Sequence, residues 1–541
     1  MVLKPDSGHI PAERTSTMPA KGARNRPGPR FTKPKPKVRD ARDPHLYDPQ
    51  VISEIRQELT GHRLQLEGHQ LSPMPSDLAQ LAYQCDAPEV TGYAGMPAFM
   101  KFAYGFGLAD LLGDLPMPKR ESIYAPGKLS EVVVAILAAG LERVSHIDDV
   151  KHDPGLCVAL GLEQLPDQAT LSRFFRDANQ AEVSWLRARN RAFSKRSVRL
   201  QERPQRMVVD VDTREVGVYG KQEGSKRSPR RDGDRMYTFE VATLRNSYDI
   251  LDGGLLEGAT HPAPRFRERM RDILDQLCRA TEELVWCADA AWYAAHILQE
   301  IEAADAEEAI ACRCRYAIRA QIRDGLDQAI AAIPEGQWRP CDEELEIAEL
   351  RYTFKQVRDH DGRKVKDERE RRYVVTRKRL VDRAQEKGQG ALLEAPRYEH
   401  QAIVTDLTWS PRRVWAFYNR RVTVESILKE SALGFGMDHL PSARFAGNGL
   451  FCQLLILAYN YVNVFRRLCL PQQGRRRYVQ GLRRVLLAVP GWVERASEAL
   501  TVHCSPRAQL LPAVLGMVSS WLAPAQLGGA QDGAGALSDA A

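Results

Sequence analysis

At residue 206 the spacing of apolar residues changes period, and that change commits the chain to a mixed fold. From about 50 to 200 the apolar positions recur at the helical interval, as in KLSEVVVAILAAGLERVSHIDDV (128–150), where Ser130 is placed to cap the helix start. Beyond 206, RMVVDVD reads as a buried strand ending in two acids, REVGVYGKQ (214–222) as a second strand and MYTFEVATL (236–244) as a third. A helix at about 264–280, the strand ELVWCADAAW (283–292), the helix AAHILQEIEAAD and the strand CRCRYAIRA (312–320) follow. Three strands, a helix, a strand, a helix and a strand make the order of a mixed α/β sheet. The region 335–410 is strand-like again (ELRYTF, RRYVVTRKR, HQAIVTDLTW), and apolar helices then return. The longest, GNGLFCQLLILAYNYVNVFRRLCL (447–470), nears the length of a membrane span. Asn460, Asn463 and Arg466 interrupt it, which predicts a buried core helix and no membrane insertion.

Charge is distributed more tellingly than its total. The balance is 77 Lys+Arg against 70 Asp+Glu, a net +7 compatible with a polyanionic partner. Residues 1–45 form a proline-rich basic arm (RNRPGPRFTKPKPKVR) that cannot bury a core and is expected to be disordered, serving either phosphate contact or solubility. A low-complexity tail occupies 523–541. In HDPGLCVALGLEQLPDQATLSRFFRDANQ (152–180), a short helix, a Leu-Pro break and a helix from about Asp167 suggest a helix-turn-helix. Leu171, Phe174 and Phe175 would pack inward, leaving Arg173 and Arg176 as candidate DNA contacts or simply a solvated face. The arginine-rich run RARNRAFSKRSVRLQERPQR (187–206) strengthens the phosphate-binding option. Ten cysteines show no zinc-ligand spacing, and the N-terminus lacks an apolar signal segment. Reduced thiols in a cytoplasmic, nucleoid-associated protein are the expectation.

Three acids stand where metal chemistry could use them. Alternation along a strand puts Asp210 and Asp212 on one face, and Asp289 ends a second strand in the same manner. Carboxylates converging at neighbouring strand ends would make a hard-oxygen site for Mg²⁺, and two such ions can activate water for phosphodiester cleavage. Taken alone, either residue is more readily a cap, Asp210 of a turn and Asp289 of the helix after it; the metal reading needs both together with a third acid. The stretch FYNRRVTVESILKE (417–430) offers a third acid. On one continuous helix, Tyr418, Arg421, Glu425 and Lys429 fall within about 80° of arc. Glu425 could then ligate metal, Arg421 and Lys429 could hold phosphate, and Tyr418 could offer a hydroxyl to phosphate or a ring to a base. The same spacing also permits an i,i+4 salt-bridge ladder on a solvated face.

These residues together resemble a DDE transposase of bacterial insertion sequences, of the cut-and-paste group with a Tyr-(2)-Arg-(3)-Glu signature. The matching blocks are VVDVDTREVGVYGKQEG (208–224), LVWCADAAWY (284–293), FYNRRVTVESILKESALGFGMD (417–438) and FAGNGLFCQLLILAYNYVNVFRRL, with PDQATLSRFF resembling the end of that group's DNA-binding region. The resemblance implies an α/β, ribonuclease-H-like catalytic core with a β-rich insertion, preceded by an α-helical DNA-binding region. The chain would divide into a helical region at 46–200, a first core part at 201–330, the insertion at 331–410, and core completion with C-terminal helices at 411–522. It also implies a catalytic triad of Asp212, Asp289 and Glu425 holding two Mg²⁺ (Mn²⁺ as a substitute), with Asp212 preferred to Asp210 because Thr213 follows it. Tyr418, Arg421 and Lys429 would position the strand, and Trp338 or Trp409 would stack on a displaced base. The partners would be double-stranded DNA, both element ends and target, engaged by a homodimer. Two positions depart from the pattern: ADAAWY stands where A-D-S-G-F-Y is usual, and Ala432 where a Lys is common. The implied activity is cutting and joining at terminal inverted repeats. The alternatives are a catalytically inactive, transposase-derived DNA-binding protein and a structural α/β protein whose acids are only caps.

Overall fold

The structure, a computed structural model, describes residues 87–522 apart from 119–122, 201–202, 229–233, 259, 261–262, 324, 354–356, 359–363, 366, 368, 381–397, 471–477, 497–499, 506–507 and 509. The basic arm and the tail lie outside the described residues. Before the sheet, the main helices are α1 (Met96–Gly105), α2 (Pro126–Ala139), α3 (Pro154–Leu160), α4 (Gln168–Asp177) and α5 (Gln180–Arg199). Proline in the first turn starts α2; Ser130 does not cap it, because it lies inside the helix with its hydroxyl donating to the Pro126 carbonyl. The start of α4 is capped by Asp167, whose carboxylate accepts the Thr170 N–H at 2.7 Å. Leu171, Phe174 and Phe175 are buried, and Arg173 and Arg176 are exposed.

Ten strands form one mixed sheet. Its first strand, β1 (Arg206–Val218), is a single element where the sequence suggested two. Then come β2 (Arg235–Leu244), β3 (Asp249–Leu256), helix α6 (Phe266–Leu277), β4 (Glu283–Ala288), helix α7 (Ala295–Ala306) and β5 (Arg313–Arg319). Strands β6 (Leu345–Thr353), β7 (Glu370–Arg379) and β8 (Tyr398–Thr405) come from the strand-rich stretch. The spatial order is β3-β2-β1-β4-β5-β8-β7-β6, with two-residue strands at 226–227 and 339–340 on the flanks. β1, β4 and β5 run parallel; the other pairings are antiparallel. The segment read as an insertion therefore continues the same sheet beyond β5.

Alternation along β1 and β4 divides the core between two faces. Met207, Val209, Val211, Leu284, Trp286 and Ala288 pack on α6 and α7. Val208, Val285 and Cys287 face the other way, against Val414 and Tyr418 of helix α8 (Pro411–Asn419). Asp210, Asp212 and Asp289 share the parity of that second face. Helix α9 (Val422–Phe435) follows α8 after a break, and α10 (Phe445–Cys469) lies in a further core that it shares with α9 and the helices α1 to α5.

The polar residues that interrupt α10 have a structural use. Strand β3 is a sheet edge, so its outer backbone groups need partners. Asn460 accepts the Ile250 N–H at 2.9 Å and donates to the Ile250 carbonyl at 2.8 Å, and Gln453 donates to the Gly253 carbonyl at 2.9 Å. Strand β2 and helix α10 together crowd β3, so that a Cβ at Gly253 would lie 2.8 Å from the Glu240 carbonyl of β2 and 3.2 Å from Ile456 Cδ1 of α10. Among the described residues α10 is the one helix long and apolar enough to cross a membrane, and it is buried inside the fold along nearly all its length.

Candidate active site

The parallel register of β1 and β4 ends at the pair Val211↔Ala288, so Asp212 and Asp289 occupy the next position on adjacent strands. Asp212 is nearly buried and Asp289 half-buried. Burial pushes the Asp212 carboxyl above its ordinary range; the Arg421 guanidinium and the Thr213 N–H oppose that rise, and the neighbouring Asp289 charge adds to it. Asp289 also accepts the Ala291 N–H at 3.0 Å, capping a short 3₁₀ turn, so the capping role and the position beside Asp212 coexist.

Asp210 is removed from this pair. Its carboxylate is wholly buried and gripped by Arg245, with Nε donating at 2.8 Å and Nη2 at 2.5 Å. Both oxygens are thereby committed to a bidentate cation, which corrects the expectation that Asp210 joins a metal set. Each polar position on this face of β1 has a cationic or anionic counterpart: Asp210 with Arg245, Asp212 with Arg421, Arg214 with Asp438.

The stretch 417–430 is not one helix. It breaks at Arg420 and Arg421, so the single arc predicted for four polar residues does not form. Three contacts hold the break over the strand ends. Arg245 donates to the Phe417 carbonyl at 2.9 Å, the Tyr418 hydroxyl to the Ala288 carbonyl at 3.1 Å, and Arg421 Nη2 to the Val211 carbonyl at 3.1 Å. The same Arg421 nitrogen lies 2.9 Å from Asp212 Oδ2, while its Nε is buried without a hydrogen-bond partner among the described residues. Glu425 and Lys429 are exposed on α9, and neither forms an ion pair among the described residues, so the salt-bridge ladder does not form either.

Among the described residues no group of three His, Cys, Asp or Glu side chains is placed to hold a metal ion. Asp212 and Asp289 offer adjacent hard oxygens, the donor type a divalent cation takes, but Glu425 is not gathered with them. Positive charge at Asp212 comes from Arg421 instead. Trp338 is buried under the Arg377 guanidinium, 4.4 Å from its ring, and Trp409 lies beneath Arg206 and Arg413 at 4.4 and 4.5 Å, so neither ring stands open for a base. Ala432 is buried against the core.

Sequence reasoning missed two residues. Arg245 was not paired with Asp210, because it lies in a turn after β2 and only the sheet brings it across. Arg319 ends β5 one step beyond the pair Ala288↔Ile318, next in line to Asp289. It is exposed, and its guanidinium forms no ion pair or hydrogen bond among the described residues. The signal was present in CRCRYAIRA, a strand ending in a cation where two earlier strands end in acids.

A family model for the transposase DDE domain, group 1, matches residues 77–518. Among solved structures, a piggyBac transposase synaptic complex with hairpin DNA is similar over 80% of this chain and 82% of that chain, at 8% identity and a TM-score of 0.39. A Mos1 transposase paired-end complex with the left transposon end is similar over 34% of this chain and 58% of that chain, at 14% identity and a TM-score of 0.14. No curated protein matches the chain.

Proposed function

This chain belongs to the transposase DDE domain group 1 family, and on that premise we propose that it cuts and joins DNA at the terminal inverted repeats of an insertion sequence. The observation that carries the reading is the side-by-side placement of Asp212 and Asp289 where the parallel pairing of β1 and β4 stops, covered by Tyr418 and Arg421. The order β3-β2-β1-β4-β5, with the last three parallel, supports a ribonuclease-H-like core. Asp212 and Asp289, with Glu425 as third carboxylate, would hold Mg²⁺. Bound there, two such ions would supply water activation and charge neutralisation at the scissile phosphate. Arg421, through its unpartnered Nε, and Arg319 and Lys429, through free guanidinium and ammonium groups, would hold phosphate oxygens of the bound strand. Tyr418 fixes the break between α8 and α9 against β4. The partners would be duplex ends and target DNA, held by a homodimer so that both ends are cut together.

A second reading, a DNA-binding protein without catalysis, is favoured by one observation: Arg421 already neutralises Asp212, and Glu425 stands apart. Cleavage of a duplex carrying the element's end, assayed with and without Mg²⁺, separates the two. The catalytic reading expects Mg²⁺-dependent nicking that Asp289→Asn abolishes while duplex affinity is retained. No nicking by the wild-type chain on a duplex that it binds specifically would establish the second reading.

A further inference from the structure

At the other end of the parallel strands lies a cleft of about 520 Å³. It is walled by the C-terminal ends of α5 and α6 and by the segments that lead into β1, β4 and β5. Five basic side chains line it: Lys195, Arg199, Arg203, Arg271 and Arg279. Two are neutralised inside the cleft, Lys195 by Asp275 at 2.9 Å and Arg271 by Glu307 at 2.5 Å. Arg199, Arg203 and Arg279 are exposed and have no ion pair or hydrogen bond from their side chains among the described residues. Val198, Leu274 and Ile310 supply an apolar floor.

Three unpartnered guanidinium groups around one concavity repel one another, and an anion with several oxygens relieves that repulsion. One of them, Arg199, sits in the last turn of α5, where the helix dipole favours a cation, but that accounts for one arginine and not for three converging from separate segments. We propose that this cleft is a second DNA-backbone site, which grips phosphates of a duplex stretch other than the one at Asp212 and Asp289. Strand β4 separates the two, and its six residues span roughly 20 Å at the usual rise of a strand. Phosphates held at one end therefore cannot be those held at the other. The arginine-rich run at 187–206 gains a defined use, since it delivers Arg199 and Arg203 to the cleft. The inference rests on the reading that the chain acts on DNA.

The test is equilibrium binding of the full chain to a short duplex over a range of NaCl concentrations. It compares wild type, R199A/R203A/R279A, and a control R351A/R379A/R495A that removes equal charge from exposed positions elsewhere. The cleft variant is expected to flatten the slope of log K against log[salt] by roughly 2–3, at about 0.9 for every phosphate that is no longer neutralised, and the control by less than 1. An unchanged slope, or equal flattening in both variants, overturns the proposal. Inorganic phosphate provides a further arm: if the cleft variant loses phosphate binding but keeps duplex affinity and slope, the site takes a small anion and the DNA assignment is wrong. A wild-type chain that binds no duplex sinks the functional reading as well, whereas binding that the cleft variant leaves untouched sinks only the cleft.

Discussion

Arg421 Nη2 lies 2.9 Å from Asp212 Oδ2, so a guanidinium rests on one of the two carboxylates that stand just past the parallel pairing of β1 and β4. A cation and that guanidinium compete for the same oxygens. Arg421→Gln is therefore expected to tighten Mn²⁺ binding by the DNA-free chain roughly tenfold, the equivalent of about 1.4 kcal/mol. Titration calorimetry or Mn²⁺ electron paramagnetic resonance reads this directly. Duplex affinity should fall in the same variant, because the Nε and Nη donors are removed. Unchanged Mn²⁺ affinity would mean that the ion pair does not guard Asp212.

The two acids of the first strand should separate cleanly in a stability assay. Arg245→Ala leaves the Asp210 charge buried without its bidentate partner, which costs about 3–5 kcal/mol. Asp212→Asn removes a carboxyl whose ionisation burial already disfavours but leaves Arg421 without its counter-ion, and the two effects oppose, so urea unfolding should move by less than in Arg245→Ala, by about 1–2 kcal/mol. End cleavage should nevertheless disappear in Asp212→Asn. A neutral Arg245→Ala would show that Asp210 is not held as a structural ion.

Glu425 and Lys429 stand on the solvent side of α9 without ion-pair partners among the described residues, so substitutions there report on function with little folding penalty. Glu425→Gln is expected to abolish Mg²⁺-dependent cleavage, keep duplex binding and change stability by less than about 0.5 kcal/mol. Lys429→Ala should weaken duplex binding and lower its salt slope by about 1. Parallel loss of cleavage and binding in Glu425→Gln would remove Glu425 from the catalytic set.

The acids were legible because strand alternation and strand ends are local properties. ELVWCAD announces a buried strand with a carboxylate at its exit, and RMVVDVD a buried strand with two acids on one face, although that strand runs on past Asp212 to Val218. The break inside FYNRRVTVESILKE was not legible, since no Gly or Pro marks it. Contacts from Tyr418 to Ala288 and from Arg421 to Val211 hold it, and both cross to the sheet from distant sequence. Strand β3 was hidden for a related reason. Its Gly253-Gly254 pair reads as turn chemistry, whereas Gly253 is there because β2 and α10 leave no space for a Cβ.

That close approach makes Asn460 a sensitive position. Asn460→Ala strands the N–H and the carbonyl of Ile250 in a buried setting, and each group left without its partner costs about 1–3 kcal/mol. A destabilisation of roughly 2–4 kcal/mol in urea is expected, with faster amide exchange along β3 as the local sign. Global loss without faster exchange at β3 would contradict the edge-sealing role.

Asp406 gives the fold a pH dependence whose sign is fixed. Burial pushes its carboxyl up to about 6, against the opposing pull of the Tyr316 N–H at 2.8 Å and of Arg315 at 3.4 Å. Its ordinary value is about 4. The folded state thus holds the proton more tightly than the unfolded chain does. The stabilisation is fully present below pH ~4 and is lost as pH rises through about 6. A shift of about two units corresponds to an upper bound near 2–3 kcal/mol. Asp406→Asn keeps an oxygen for the Tyr316 N–H but cannot ionise. Its stability relative to wild type, from urea unfolding at a series of pH values, should therefore rise between pH ~4 and ~7 and then level off. A difference that stays flat across that window would mean that Asp406 ionises in the fold as freely as in water, and that Arg315 offsets the whole cost of its burial.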